Sequence, residues 1–289
     1  MDFTENDSVD AVVASFADTP DPRLRVVMDS LVRHLHGFLR EVRPSIAEWE
    51  RGIEFLTATG QKCDEHRQEF ILFSDVLGAS MLVETMEAER QAQGATASTV
   101  LGPFHVVRSP DRALGDTIDL VGTGEPCLIE GTVTGPDGAP VPGARIDVWQ
   151  ADEKGFYDVQ VPDDQPLGNG RGLFTADDEG RFWFRSIVPA HYPIPTDGPV
   201  GALLTATRRH PYRPAHVHFI VDASGYVPVT THVFVEGSPY LDSDAVFAVK
   251  QSLVRDFAPV DDPDTASRLG LPNPFRRARF DVVLQPAAS

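Results

Sequence analysis

The glycine and proline content and the spacing of apolar residues change near residue 100, and this change constrains the fold more than any other feature. Before it, glycine and proline are scarce and apolar residues recur three and four positions apart, as one face of a helix requires. After it, turn dipeptides such as Asp137-Gly138 and Glu179-Gly180 recur about every 8 to 12 residues, a spacing typical of sandwiches and barrels. The sequence therefore predicts the α+β class, with a helical region at residues 1–100 and an antiparallel β-sandwich at residues 101–289.

Three helical stretches are predicted in the N-terminal region. The first carries its apolar face from Leu24 to Val42. The second begins near Pro44, which suits a first helical turn, and ends near Gly60. The third runs from about Cys63 to Ala92, and Gly78 is expected to kink or interrupt it.

Short alternating runs in the second region predict its strands. These runs are Cys127–Thr134, Ala144–Trp149, Gly180–Ile187, Ala215–Asp222 and Thr230–Val235. A further helix is predicted from Asp242 to Phe257.

Charge and composition exclude several classes of partner. The formal net charge of −18 would repel a polyphosphate, so nucleic acid is not expected as a partner. A run of about 18 apolar residues is absent, so no membrane span is expected. The acidic N-terminus lacks the positive charge of a secretory signal, and Cys63 and Cys127 do not predict a disulfide framework. A cytoplasmic protein is expected.

The segment Arg213-Pro-Ala-His216-Val-His218 is the sharpest local feature. Because side chains alternate along a strand, His216 and His218 face the same way and could share a metal ion. Histidine pairs with this spacing also occur in cores and on surfaces without a metal. The motif does not identify the metal either, since zinc, copper and iron all accept imidazole.

Two tyrosines in turn-rich loops could border the strand of the histidines. Tyr157 lies in Gly155-Phe-Tyr157, and Tyr192 lies in His191-Tyr-Pro193. A phenolate is a hard anion that suits Fe(III), and a trivalent ion would displace its proton at neutral pH. Taken singly, each tyrosine is better explained as a packing residue with a hydrogen-bonded hydroxyl.

Together, these segments resemble the intradiol dioxygenase family, in the order and at the spacing of its motifs. The matching segments are Leu101-Gly-Pro-Phe104, Asp147-Val-Trp-Gln-Ala-Asp152, Gly155-Phe-Tyr157 and Arg213-Pro-Ala-His-Val-His218. The resemblance covers essentially the whole second region, and the helical region is similar to the dimer-forming linker of the family. It implies an enzyme that cleaves an aromatic diol with O2.

The same resemblance implies the roles of the site residues. Tyr157, Tyr192, His216 and His218 would be the four protein ligands of one Fe(III). Tyr192 would also act as a base towards the substrate, and Arg213 would stabilise the negative charge that develops on it. Similar proteins are homodimers with a lipid at the helical interface, and amphipathic helices must cover their apolar faces somewhere.

Several details resemble the branch of the family that cleaves hydroxyquinol, a trihydroxybenzene. They are the segments Leu72–Gly78, Phe156–Gln160 and Ile194–Gly201. His232 stands where catechol-cleaving members usually carry glutamine. An imidazole there would alter the polarity beside the substrate ring and makes His232 a candidate catalytic residue, although the exchange could merely fill space. Asp75 could accept a hydrogen bond from the third hydroxyl, or it could be solvated or paired with an arginine.

The remaining pocket residues are also implied by the resemblance. The expected substrate-binding residues are Leu72, Asp75, Val100, Leu101, Gly102, Pro103, Phe104, Ile194, Pro195 and Arg213. Two alternatives stay open: cleavage of catechol or chlorocatechol, and a transthyretin-like sandwich that only binds ligands or proteins. The second alternative rests on Gly131–Trp149 and leaves the two tyrosines and two histidines unexplained.

Overall fold

The computed structural model describes residues 3–64, 67–90, 94–105 and 108–287. The helices in these ranges are α1 (Ser8–Ala14), α2 (Pro22–Val42), α3 (Ile46–Gln61), α4 (Glu69–Val76), α5 (Ala79–Ala88), α6 (Pro199–Ala206) and α7 (Pro263–Leu269). The strands are β1 (Pro126–Thr134), β2 (Arg145–Gln150), β3 (Arg171–Thr175), β4 (Arg181–Ile187), β5 (Tyr192–Pro193), β6 (Tyr212–Arg213), β7 (His216–Asp222), β8 (Tyr226–Val227), β9 (Val229–Val235), β10 (Val254–Arg255), β11 (Ala258–Val260), β12 (Phe275–Arg279), β13 (Val282–Val283) and β14 (Gln285–Pro286). Within the described residues, none of the helices combines the length and apolar character that crossing a membrane requires.

The chain divides into two compact units, residues 1–58 and 59–289. The first unit contains α1, α2 and most of α3. The side chain of Asp21 caps α2 by accepting hydrogen bonds from the backbone N–H groups of Arg23 and Leu24. The first two predicted helices are confirmed as α2 and α3. The short α1 was not predicted, because its seven residues carry little periodic signal.

In the second unit, the third predicted helix is divided in two at Gly78. This glycine has a φ of 72°, a left-handed conformation that ends α4 before α5 begins. The predicted interruption is therefore confirmed, while the predicted end at Ala92 lies outside the described residues. Helices α6 and α7 were not predicted, since each spans only two turns within proline-rich sequence.

Two five-stranded sheets form the core of the second unit, beside two two-stranded sheets and helices α4 to α7. One has the order β11-β12-β1-β13 with β4 also paired to β1, and the other has the order β10-β9-β7-β2-β3. Phe182 and Phe184 of β4 lie 6.2 and 6.3 Å from Phe219 of β7, measured between ring centroids, so the core lies between the two sheets. Most pairs are antiparallel, with parallel pairs at β1–β12, β1–β13 and β9–β10. The α+β class is confirmed.

The five predicted strands are present, but the helix predicted from Asp242 to Phe257 is wrong. This segment forms turns, a single 3-10 turn at Gln251–Leu253 and then β10. The carboxylate of Asp244 accepts hydrogen bonds from the backbone N–H groups of Val246 and Ala248, and these bonds take the place of helical hydrogen bonds. Phe247 has a φ of 60°, which a helix does not contain.

Candidate metal centre

Three histidines meet on one face of the second sheet. His216 and His218 alternate along β7, and His232 of β9 lies directly opposite His218 in the strand register. All three side chains are buried, and their ligand atoms lie within 4.8 Å of one another. Such a cluster of buried imidazoles could hold a metal ion.

Two loops bring the predicted tyrosines to this face. Tyr157 follows a turn after β2, and Tyr192 begins β5, where it pairs with Arg213 of β6. Gly155 makes this approach feasible, because its φ is 86° and a Cβ there would lie 2.9 Å from Cβ of Tyr192. Both tyrosine side chains are buried.

The four predicted ligand atoms lie close together. The hydroxyl of Tyr157 is 3.0 Å from Nε2 of His218 and 3.2 Å from the hydroxyl of Tyr192. The hydroxyl of Tyr192 is 3.4 Å from Nε2 of His216, and the two Nε2 atoms are 3.1 Å apart. Atoms bound about 2 Å from one ion are separated by roughly 3 to 3.5 Å. The four atoms therefore have the spacing of ligands that share one ion.

The protonation states suit metal binding. Burial lowers the pKa of His216 and of His218, so both imidazoles are neutral. Nδ1 of His216 lies 2.7 Å from the carbonyl oxygen of Pro214 and donates its proton there, which leaves Nε2 unprotonated. Burial raises the pKa of Tyr157 and of Tyr192, so a cation is needed to hold them as phenolates.

His232 offers an alternative ligand to the tyrosines. Its ring centroid is 4.2 Å from that of His218. Its Nδ1 is hydrogen-bonded to the hydroxyl of Thr99, while its Nε2 has no hydrogen-bond partner among the described residues. The spacing of the Tyr–Tyr–His–His set favours that set over three histidines.

Two aromatic rings and one glycine pack against the predicted metal-binding side chains. Trp149 stacks on His218 with centroids 4.5 Å apart, and Phe104 stacks on Tyr157 at the same distance. Gly102 has a φ of 78°, and a Cβ there would lie 3.1 Å from Cε1 of His218. The segment from Gly102 to Phe104 therefore lies against the centre, as its predicted substrate role requires.

The predicted pocket residues differ in burial. Leu72, Val100, Phe104 and Ile194 are buried, Gly102, Pro103 and Pro195 are half-buried, and Leu101 is exposed. Contact of these side chains with a substrate stays a prediction.

Arg213 is a buried cation at the edge of the centre. Its Nη1 lies 3.2 Å from Nε2 of His216, and its Nε lies 3.2 Å from Oδ1 of Asp244. Burial alone would lower the pKa of Arg213, but its interactions with Asp244 and with the oxygens of the two tyrosines together outweigh burial and raise it. Arg213 therefore stays protonated. Sequence reasoning missed Asp244, which follows Arg213 by 31 positions and belongs to no recognised motif.

Asp75 is a buried carboxyl group on α4. Burial raises its pKa, while a hydrogen bond from Ser80 and the charge of Arg213 oppose this rise less strongly. Its Oδ1 has no hydrogen-bond partner in the described part of the chain. Asp75 is thus buried and forms no ion pair among the described residues, and its Oδ1 is available to accept a hydrogen bond.

A second buried ion pair, also missed from the sequence, connects two walls of the site. Arg171 and Asp158 are 2.7 Å apart, and both side chains are essentially inaccessible. Nη2 of Arg171 also donates to the carbonyl oxygen of Phe104 at 2.9 Å. Because Asp158 follows Tyr157 directly, the pair fixes the loop of one ligand to the segment that carries Phe104.

Comparisons with known proteins identify relatives of this chain over nearly its whole length. The family model described as "Catechol dioxygenase N terminus" matches residues 21–95, and the one described as "Dioxygenase" matches residues 102–286. Hydroxyquinol 1,2-dioxygenase of Rhizobium sp. (strain MTP-10005) is 51% identical over 98% of this chain and 96% of the relative. The 6-chlorohydroxyquinol 1,2-dioxygenase of Cupriavidus pinatubonensis is 51% identical over 99% of both chains.

Solved structures give the same result. Hydroxyquinol 1,2-dioxygenase of Pseudomonas putida DLL-E4 has a TM-score of 0.89 and 48% identity, over 98% of this chain and 99% of that chain. Catechol 1,2-dioxygenase of Acinetobacter radioresistens has a TM-score of 0.86 but 29% identity, over 99% of this chain and 94% of that chain. With both family models matched and these identities over nearly its whole length, this chain belongs to the intradiol ring-cleavage dioxygenase family.

Proposed function

We propose that this chain cleaves hydroxyquinol (1,2,4-trihydroxybenzene) with O2 between its two adjacent hydroxylated carbons. Both oxygen atoms enter the product, 3-hydroxy-cis,cis-muconate, which tautomerises to maleylacetate. The observation that carries the proposal is the spacing of 3.0 to 3.4 Å among two phenol oxygens and two imidazole nitrogens. The relatives named hydroxyquinol 1,2-dioxygenase, at 51% identity, support the substrate.

The proposed metal is Fe(III), held by Tyr157, Tyr192, His216 and His218. Two hard phenolate oxygens beside two imidazoles suit a ferric ion better than Cu(I), which prefers sulfur ligands. When bound, the ferric ion would draw electron density from a chelated diol and make the ring reactive towards O2. Protein residues would move the substrate proton and stabilise the negative charge on the substrate.

Tyr192 and Arg213 are proposed to act on the substrate. Tyr192, once held as a phenolate by the cation, would take a proton from one substrate hydroxyl, because its raised pKa makes the phenolate a strong base. Nη1 of Arg213 points at the ligand atoms and stabilises negative charge on the substrate. Imidazole at His232 changes the polarity beside the ring, since its Nε2 has no other partner among the described residues.

A comparison of substrates tests this proposal. Ferric-loaded protein is expected to consume one O2 for each hydroxyquinol, with a higher kcat/KM than for catechol or chlorocatechol. Two tyrosinate ligands should also give a visible charge-transfer band. A preference for catechol would identify the alternative activity. A folded protein that binds no iron would instead support the transthyretin-like alternative.

Replacement of Asp75 by alanine should reduce the preference for hydroxyquinol over catechol. A hydrogen bond to a charged group contributes about 1.5 to 3 kcal/mol, so the ratio of the two kcat/KM values should fall roughly 10- to 100-fold. Turnover of catechol should persist, because catechol lacks the third hydroxyl. The exposed Asp178→Ala variant is the control for loss of a carboxylate. An unchanged ratio in Asp75→Ala would remove Asp75 from substrate recognition.

The predicted division at residue 100, with a helical dimerisation region and a catalytic region, is likewise a proposal. Within the first unit, α2 exposes Leu31, Leu35 and Phe38, and a second copy of the chain could cover this face. A groove of about 570 Å³ in the same unit is lined by Trp49 and Leu39, among others, and is the candidate site for a lipid. The cytoplasmic location stays a prediction.

A further inference from the structure

Asp244 is a buried carboxylate that does not itself reach the four ligand atoms. Its Oδ1 accepts from Nε of Arg213 at 3.2 Å, and its Oδ2 lies 3.5 Å from Nη2 of the same side chain. The backbone N–H groups of Val246 and Ala248 donate to the same two oxygens, at 3.3 and 3.0 Å. Asp244 is therefore fixed by its own segment and holds one edge of the guanidinium group.

This arrangement determines which nitrogen of Arg213 faces the centre. A guanidinium group is planar and rigid, so fixing Nε and Nη2 also fixes the direction of Nη1. Nη1 is the nitrogen that lies 3.2 Å from Nε2 of His216. Without Asp244, the buried guanidinium could rotate about its side-chain bonds and present another edge.

The segment that carries Asp244 is itself held in an unusual conformation. Tyr240 and Phe247 have φ angles of 69° and 60°, a region that non-glycine residues seldom adopt. Nη2 of Arg209 donates to the carbonyl oxygen of Ala245 at 3.0 Å, and its guanidinium carbon lies 5.0 Å from the centre of the Phe247 ring. Such conformations persist only where surrounding contacts enforce them, and they cluster at functional sites.

We propose that Asp244 is a positioning residue, which orients Arg213 so that Nη1 meets the negative charge formed on the substrate. The inference rests on the proposed function, because it requires the proposed role of Arg213. It assigns a task to a carboxylate that makes no contact with the ligand atoms.

Asp244→Asn tests this inference, because the amide is nearly the same size and lacks the charge. The iron content and the charge-transfer band should stay those of the wild type, while kcat should fall about 10- to 100-fold, somewhat less than for loss of a charge-stabilising donor. KM should change little, since the lost interaction acts on the transition state. Asp242→Asn, an exposed carboxylate on the same segment, should keep the wild-type kcat.

A double-mutant cycle separates positioning from a general structural effect. In an Arg213→Ala background, Asp244→Asn should cause no further loss of kcat, because the group that it orients is already absent. Arg209→Gln, which loosens the segment without touching Arg213, should also lower kcat at unchanged KM; this variant decides the question if Asp244→Asn does not fold. Thermal unfolding is measured for each variant.

Several outcomes would overturn the inference. They are a wild-type kcat in Asp244→Asn, a loss that multiplies with that of Arg213→Ala, a loss of iron in Asp244→Asn, or a wild-type kcat in Arg209→Gln. Each of these requires an active wild-type enzyme. Wild-type protein that holds iron but cleaves no diol would instead refute the proposed function, and the inference with it.

Discussion

The His216→Ala variant is expected to fold and to bind iron at least about 100-fold more weakly than the wild type. Even the outer partners of metal-ligating histidines contribute about 10- to 100-fold to affinity, so loss of a ligand should cost more. The imidazole is neutral in the structure, so its removal leaves no buried charge unpaired. Iron per chain, measured by mass spectrometry, and the visible absorption band report the loss.

His191→Ala is the matched control for this experiment. His191 precedes the proposed ligand Tyr192 in the chain, but its side chain is exposed. This variant should therefore keep its iron and its colour. Full iron occupancy and an unchanged band in His216→Ala would contradict the proposed ligand set.

The same measurement on His232→Gln distinguishes the two possible ligand sets. If Tyr157 and Tyr192 complete the centre, His232→Gln should retain its iron. If the three histidines hold the metal, this variant should lose iron as His216→Ala does, and the tyrosine assignment would be wrong. The buried cluster of three histidines makes this comparison necessary.

The histidine pair shows what could be predicted from sequence alone. Side chains of a strand alternate, so the two-residue spacing of His216 and His218 is sufficient to predict that both lie on one face. The strand β7 and its pairing with β2 and β9 agree with that pattern. Local periodicity was sufficient here because a single strand carries both residues.

The tyrosines could not be located in this way. Tyr157 lies in a loop after β2 and Tyr192 begins the short strand β5, and the sequence between them does not determine how the two segments approach each other. Gly155 is the physical reason for their approach, since a Cβ at this position would collide with Tyr192. In the sequence, only the resemblance to a family joined these residues to the histidines.

Asp244 shows a different limit of sequence analysis. A helix was predicted from Asp242 to Phe257, but the Asp244 side chain accepts hydrogen bonds from local backbone N–H groups, and Arg209 donates to the carbonyl oxygen of Ala245. Both contacts oppose the helical hydrogen-bond pattern. The ion pair between Asp244 and Arg213 thus outweighed the local preference for a helix. No motif in the sequence indicates that these two residues pair.

Arg213→Ala is expected to keep iron and to lose activity. Removing a donor that stabilises charge in the transition state commonly lowers kcat by about 100- to 1,000-fold, and the positive charge of Arg213 places its loss at the upper end of this range. Iron should remain, because Arg213 contacts the ligand set through His216 but donates no lone pair. The measurement is single-turnover cleavage of hydroxyquinol at equal iron occupancy.

The variant should also be less stable, since Asp244 would be left buried without its ion-pair partner. Breaking a buried pair costs about 3 to 5 kcal/mol, so activity should be measured well below the midpoint of thermal unfolding. Arg208→Ala removes an exposed arginine five positions earlier and should leave both activity and stability unchanged. An iron-loaded Arg213→Ala enzyme with a wild-type rate would contradict the proposed role of Arg213. It would show that another group in the site stabilises the charge.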